Sequence, residues 1–289
     1  MNLNFLPLNI LNAINKLNLQ YLTEIRLRRG CPVILNYNNY HCYLGLNDII
    51  EDKNNSIFCL DEDIACVLKN VTEHSLYAFN DRLKEGYITT NDGIRIGVSG
   101  ECVCSEKTVL TLKNIASLNI RIPHKIKDCS NSIFNYILYN GEIKNTLIIS
   151  PPAFGKTTIL KDLAEKFSRE NIGAILIVDE RAEFCDVVGE NIDKIVYSDK
   201  LYGFTNGIRS MSPKIIITDE LVSISDWDCV KNAVNSGVKV IASCHGANIY
   251  EIINKNEFVE NMFEVYVVLN GDGEPGQVNK IYNKEFNVL

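Results

Sequence analysis

From residue 145 onward, short apolar runs recur at 147–149, 174–178, 195–197, 215–218, 238–242 and 265–269. Stretches with helical spacing fill most of the gaps. Uninterrupted apolar runs alternating with helices predict a parallel sheet covered on both faces. Residues 141–289 therefore read as an α/β domain, with its ligand site at the C-terminal ends of the strands.

The first 140 residues have another rhythm. Strand-like segments at 23–28, 33–35, 40–44, 87–89, 94–98 and 118–122 surround two helical stretches, 61–72 and 73–84. Turn signals separate them: Arg29-Gly30-Cys31-Pro32, Asn38-Asn39 and Asn91-Asp92-Gly93, the last implying a hairpin. This predicts a smaller α+β domain over 1–140. Residues 123–127 read as the end of its last strand, and 131–140 as a connecting helix stopped by Gly141. The apolar, asparagine-studded N-terminus lacks the basic start of a secretory signal and predicts an amphipathic first helix packed on the domain.

The run 147–149 stops at Ser150-Pro151-Pro152-Ala153-Phe154-Gly155-Lys156-Thr157-Thr158, where a helical pattern begins. Strand, loop and helix with Gly-Lys-Thr at the junction make a P-loop, in which backbone N–H groups and a helix N-terminus face phosphates. Residues Ser150, Pro151, Pro152, Ala153, Phe154, Gly155, Lys156, Thr157 and Thr158 are the candidate nucleotide-binding set. Lys156 would reach the β- and γ-phosphates of ATP, and the Thr157 hydroxyl would bind Mg²⁺. Ser150 stands where the pattern has its first glycine, and Ala153 where many such loops carry another. Both are small enough for close backbone approach, yet each restricts φ more than glycine does.

Downstream, the run 215–218 ends in Asp219-Glu220. An apolar strand ending in two acids, about sixty residues after a P-loop, is the Walker B arrangement. Asp219 would hold Mg²⁺ through a water, opposite Thr157, and Glu220 would orient and deprotonate the attacking water. The run 174–178 ends in Asp179-Glu180-Arg181-Ala182-Glu183, where Glu180 and Glu183 are candidates to support the metal or the water. The run 238–242 ends in Ser243-Cys244-His245-Gly246, and His245 is a candidate sensor of the γ-phosphate. Arg209 would contact the γ-phosphate or a neighbouring subunit; a solvated helix charge explains it as well. In the first domain Arg26 and Arg28 share one strand face, and Arg95 and Arg121 also sit in apolar strands. They are candidates to reach a nucleotide between domains or subunits, since guanidinium groups suit phosphate geometry.

Bulk properties narrow the field. Hydrophobic content of 46% and charged content of 22% fit a globular chain with a core. A net charge of −7 without a long basic run argues against a sequence-independent nucleic-acid binder. No apolar stretch approaches the roughly 20 residues needed to span a bilayer. The ten cysteines are scattered without CxxC pairs and, with four scattered histidines, lack zinc spacing, so all ten read as structural thiols.

The order of motifs resembles the secretion ATPases of type II, type IV and pilus systems. Their four boxes match Ser150–Thr157, Asp179–Glu183, Arg209–Glu220 with Pro213, and Ser243–Gly246. The resemblance implies a RecA-like P-loop domain preceded by an α+β domain, and covers most of the chain. Within that group, 23–32, 93–100, 117–122, Asp179-Glu180-Arg181 and 209–213 look like the stage III sporulation protein AA family. That resemblance implies a cytoplasmic, hexameric ATPase of the mother cell, recruited to the membrane by membrane proteins of the sporulation channel complex. Two alternatives stand beside it: a P-loop ATPase acting on nucleic acid, as a helicase or helicase loader, and a nucleotide-dependent scaffold with little hydrolysis.

Overall fold

The computed structural model describes residues 2–72, 86–90, 92–105, 108–255, 262–272 and 274–289. The helical stretch expected at 73–84 and the turn residue Asn91 lie outside them. Contacts divide the chain into two units, Met1–His124 and Lys125–Leu289.

In the first unit, helix α1 (Leu8–Ile14) precedes strands β1 (Leu22–Arg28), β2 (Ile34–Tyr37), β3 (Tyr40–Leu44) and β4 (Ile49–Ile50). Helix α2 (Asp61–Val71) and strands β5 (Tyr87–Thr89), β6 (Arg95–Ser105) and β7 (Thr108–Arg121) complete it. The strands form one antiparallel sheet in the order β4-β3-β2-β1-β7-β6-β5. Period-two alternation decides the faces. Ile25 and Leu27 of β1 are fully buried in one apolar cluster with Ile10 and Ile14 of α1 and Ile64 and Val67 of α2. Asn38 and Asn39 take positive φ (51° and 66°), the geometry a two-residue hairpin between β2 and β3 requires. Strands β6 and β7 run well beyond the segments 94–98 and 118–122; their outer halves pair with each other, with register shifts between Ser99 and Glu101 and between Val103 and Cys104.

Two expectations for the junction are corrected. Residues 123–127 are not strand; β7 ends at Arg121. Helix α3 (Asn131–Ile137) is shorter than expected, and the chain then forms a small hairpin of β8 (Leu138–Tyr139) and β9 (Glu142–Ile143). Asn140 and Gly141 at φ 51° and 79° make its turn, so Gly141 marks a hairpin rather than a helix end. Ile133 and Ile137 of α3 are fully buried in a core of the second unit, which is why the contact boundary falls before this helix.

The second unit holds β10 (Thr146–Ser150), α4 (Lys156–Arg169), β11 (Ile175–Asp179), β12 (Ile192–Val196), α5 (Lys200–Met211) and β13 (Ile215–Thr218). It continues with α6 (Ile224–Asn235), β14 (Lys239–His245), α7 (Ile249–Lys255), β15 (Val265–Leu269) and β16 (Val278–Asn283). The sheet order is β12-β11-β13-β14-β10-β15-β16, parallel except for β16, which pairs antiparallel with β15. Strands β10, β11, β13 and β15 are buried at every position. Apolar clusters lie on both faces of the sheet, as the uninterrupted runs predict. Strand β16 escaped the sequence reading because polar residues break its pattern.

Candidate active site

Sheet register assembles the site. Ser150 at the end of β10 pairs with His245 at the end of β14. Thr218 of β13 pairs with Ala242, which places Asp219 beside Ser243, and Val178 of β11 pairs with Thr218, which places Asp179 beside Asp219. All four motif-bearing strands thus deliver polar residues to the same C-terminal edge, where a parallel sheet presents its ligand site.

The loop after β10 ends at Gly155, whose φ of 87° needs a glycine. Gly155 is the N-cap of α4, and no side chain caps the helix. The first-turn N–H groups therefore remain available to an anion. Ala153 also takes a left-handed φ, 65°, a strained position for a residue with a Cβ. Lys156 is nearly fully buried, and its Nζ donates to the carbonyls of Ser150 and Pro151 (3.0 Å each) and contacts Nδ1 of His245 (3.1 Å). Burial lowers its pKa below the usual lysine value, against the pull of Asp219 and other nearby anions.

Thr157 Oγ1 donates to Asp219, Ser243 Oγ donates to the same carboxylate, and Glu183 lies 3.4 Å from the Thr157 hydroxyl. Burial first, then Asp219 and Asp179, pushes the Glu183 pKa up. Asp179 folds its own loop: its carboxylate accepts from the N–H groups of Glu183 (2.9 Å) and Phe184 (2.8 Å). Burial outweighs those bonds and raises its pKa. Asp179, Glu180, Arg181, Glu183, Asp219 and Glu220 line one cavity. One Glu220 carboxylate oxygen accepts from Nε2 of His245 (2.5 Å), and the other pairs with Arg181.

The donor set fits a hard divalent cation. A hydroxyl and carboxylates are oxygen ligands, and Mg²⁺ is usually held by one or two carboxylates plus substrate phosphates. Among the described residues, no cluster of three or more His, Cys, Asp or Glu is arranged to hold a metal unaided. An ion beside Thr157 and Asp219 would therefore complete its shell with phosphate and water.

Glu180 lines the cavity with Asp219 and Glu220, but its carboxylate is ion-paired with Lys200, which is nearly fully buried at the start of α5. Arg209 is exposed in the last turn of α5, the helix that leads into the start of β13. Lys214 N–H bonds the carbonyl of Ala174, so that end of the helix lies at the N-terminal strand edge. A contact between Arg209 and a phosphate of the same chain is thus not met. Conversely, the sequence reading missed the charge partner Lys200 and the contact of Arg181 with Glu220. It also missed the loop between β15 and β16. There Gly276 N–H donates to the Phe154 carbonyl (3.0 Å), and a Cβ on Gly155 would meet Gly276 N at 2.9 Å. The Gly- and Pro-rich run from Gly271 to Gly276 was the available signal.

In the first unit, Glu24, Arg121 and Arg95 are consecutive cross-strand neighbours on β1, β7 and β6. Arg26 pairs with Glu24, and the Arg95 guanidinium stacks 3.6 Å over the Tyr87 ring. Arg28 and Arg121 are exposed. Like charges directly opposite, as in Arg95 and Arg121, are unfavourable on a strand pair, and Glu24 on the other side of Arg121 offsets them.

A family model described as "Sporulation stage III, protein AA" matches residues 3–289. The chain belongs to this family. The stage III sporulation protein AA of Bacillus subtilis (strain 168) is 33% identical over 303 residues, spanning 98% of this chain and 95% of that one. Among solved structures, the pilus retraction motor PilT with bound ADP aligns with a TM-score of 0.63 at 14% identity, over 91% of this chain and 78% of its own. The Legionella pneumophila ATPase DotB aligns with a TM-score of 0.58 at 12% identity, over 86% and 72%. These likenesses show the fold of the secretion ATPases. Among the described residues no helix is long and apolar enough to cross a membrane.

Proposed function

We propose that the chain is an ATP-hydrolysing motor: a RecA-like domain in the second unit working with the α+β domain that precedes it. The observation that carries this reading is the uncapped α4 N-terminus at Gly155 with buried Lys156 beside it, facing the Thr157–Asp219 pair. Backbone N–H groups from Ala153 to Thr158 would cradle the triphosphate, and Lys156 would exchange His245 for phosphate oxygens. Mg²⁺ at Thr157 and Asp219 would supply charge neutralisation for the phosphates. Glu220 would orient and deprotonate the attacking water, with His245 held between it and Lys156.

The assembly would be a homo-oligomeric ring, hexameric by its resemblance to secretion ATPases. Arg26, Arg28, Arg95, Arg121 and Arg209 are the candidates to complete a neighbour's site, where an arginine supplied in trans is worth about 10³ or more in rate. Family membership supports a sporulation role: energising the channel complex between mother cell and forespore, from the mother-cell cytoplasm, through membrane-protein partners. The deciding experiment measures affinity for a fluorescent ATP analogue with Mg²⁺ and steady-state ATPase rate against protein concentration. Wild type should bind and turn over, with specific activity rising with concentration. Lys156→Ala should weaken binding at least about tenfold, since its charge-assisted bonds are worth about 1.5–3 kcal/mol. Undiminished binding by that variant would overturn the P-loop assignment.

A further inference from the structure

The end of β11 and the loop after it, residues 179–183, carry four charged side chains in five residues, and they go to separate places. Asp179 accepts from the loop's own backbone, Glu180 pairs with Lys200, and Glu183 approaches Thr157. Arg181 turns instead to Glu220. Ala182, at a φ of 56°, reverses the chain between Arg181 and Glu183. That reversal lets neighbouring charges of opposite sign face different partners.

Glu220 is as tightly constrained. It is a non-glycine residue at φ 55°, with its N–H bonded to Asp219 Oδ1 (2.9 Å) and Ser243 Oγ (3.1 Å). A left-handed position of this kind persists only where the surroundings fix it. Its carboxylate is then held from two sides, by His245 on Oε1 and Arg181 on Oε2. Neither hold is a stability device. The Arg181 side chain is 62% exposed, and exposed pairs contribute about 0–1 kcal/mol at most. One guanidinium nitrogen, Nη1, meets Oε2, and its planar N–H geometry directs that oxygen more narrowly than a rotating ammonium would.

We infer that Arg181 is a positioning residue that, with His245 opposite, aims the Glu220 carboxylate at the water attacking the terminal phosphate. The inference rests on the ATPase reading above. Arg181 touches the carboxylate and acts through it. Misaiming a reacting group by about 1 Å costs on the order of 10²-fold in rate, so the effect falls on turnover rather than on nucleotide binding.

The test uses the full chain with Arg181→Ala, Arg181→Lys and Glu220→Gln, assembled as wild type. It reads kcat, KM, affinity for a non-hydrolysable ATP analogue with Mg²⁺, and melting temperature. Arg181→Ala should lower kcat by about tenfold to a hundredfold. KM and analogue affinity should stay within about twofold, and the melting temperature within about 2 °C. Arg181→Lys should recover part of the loss, because it restores the charge without the fixed N–H direction. An active wild type with unchanged kcat in Arg181→Ala overturns this inference alone. So does weaker analogue binding with kcat intact, which makes Arg181 a phosphate ligand, and so does a drop of several degrees with all activities falling together, which makes it structural. A wild type that binds no nucleotide or shows no turnover overturns the ATPase reading as well.

Discussion

Nζ of Lys156 lies 3.1 Å from Nδ1 of His245, while the ring's other nitrogen, Nε2, lies 2.5 Å from Glu220. An ammonium only donates, and four acceptors lie within reach of Lys156 Nζ: the Ser150 and Pro151 carbonyls, Ser150 Oγ (3.3 Å) and this imidazole nitrogen. Nδ1 must then be bare and Nε2 must carry the hydrogen that Glu220 accepts. The imidazole thus joins the phosphate-facing lysine to the proposed base. Nitrogen NMR of labelled protein should show this tautomer for His245 without nucleotide. Protonation of both ring nitrogens would contradict it. His245→Ala should keep analogue binding within a few-fold and lower turnover about tenfold or more, since Glu220 loses one of its two holds. Unaltered turnover would remove His245 from the mechanism.

The strained loop makes a pair of opposite predictions. Ala153 at φ 65° bears a left-handed penalty of roughly 1–2 kcal/mol, which glycine would relieve, less a smaller entropic cost in the unfolded chain. Ala153→Gly should raise the free energy of unfolding by about 1 kcal/mol. Gly155→Ala should do the reverse and more, because φ is 87° and the new Cβ would meet Gly276 N at 2.9 Å. Chemical denaturation of both variants checks the sign, and a destabilised Ala153→Gly would mean that the strain is absent.

The four candidate arginines of the first unit, Arg26, Arg28, Arg95 and Arg121, separate into two kinds. Arg26 is tied to Glu24 and Arg95 lies over Tyr87, whereas Arg28 and Arg121 are exposed on the same sheet face. If this face serves a neighbour's nucleotide, Arg28→Ala and Arg121→Ala should lower turnover of the assembled protein by about tenfold or more. Analogue binding by the dilute chain should stay unchanged. Equal turnover at every concentration would return both to surface charge.

Legibility in the sequence followed burial. Strands β3, β5, β13 and β15 have the bounds their apolar or alternating runs predicted, because each is defined by a local pattern that a buried or half-buried strand must carry. Strand β16 and the outer halves of β6 and β7 carry no such run and owe their form to pairing. The site divides the same way. Ser150, Lys156, Thr157, Asp219, Glu220 and His245 lie at strand ends or a helix start, where topology alone brings them together. The pairs Glu180–Lys200 and Arg181–Glu220 depend on side-chain directions set by the reversal at Ala182, which no spacing encodes.

A last prediction concerns the packing that supports the loop's helix. Asp162 of α4 accepts from Ser130 N–H (2.9 Å), Ser130 Oγ (2.6 Å), Asp128 N–H (3.0 Å) and Lys166 Nζ (3.1 Å). Its side chain is 4% exposed and that of Lys166 9%. Burial pushes the Asp162 pKa up, but the bonds from Ser130, Lys166 and Asp128 overcome it and the net shift is downward. Folded Asp162 therefore binds fewer protons than unfolded Asp162 in the acid range, and stability falls as pH drops there. Its contribution should be whole above the unfolded value of 3.8 and vanish as pH falls through the lower folded value. Asp162→Ala leaves buried Lys166 only the more distant carboxylate of Asp128 (3.7 Å) and should cost about 1–3 kcal/mol at pH 7. The gap between wild type and variant should narrow below pH 3.8. Denaturation across pH 3–7 measures it, and a gap that stayed constant with pH would show that the loss is one of packing rather than of charge.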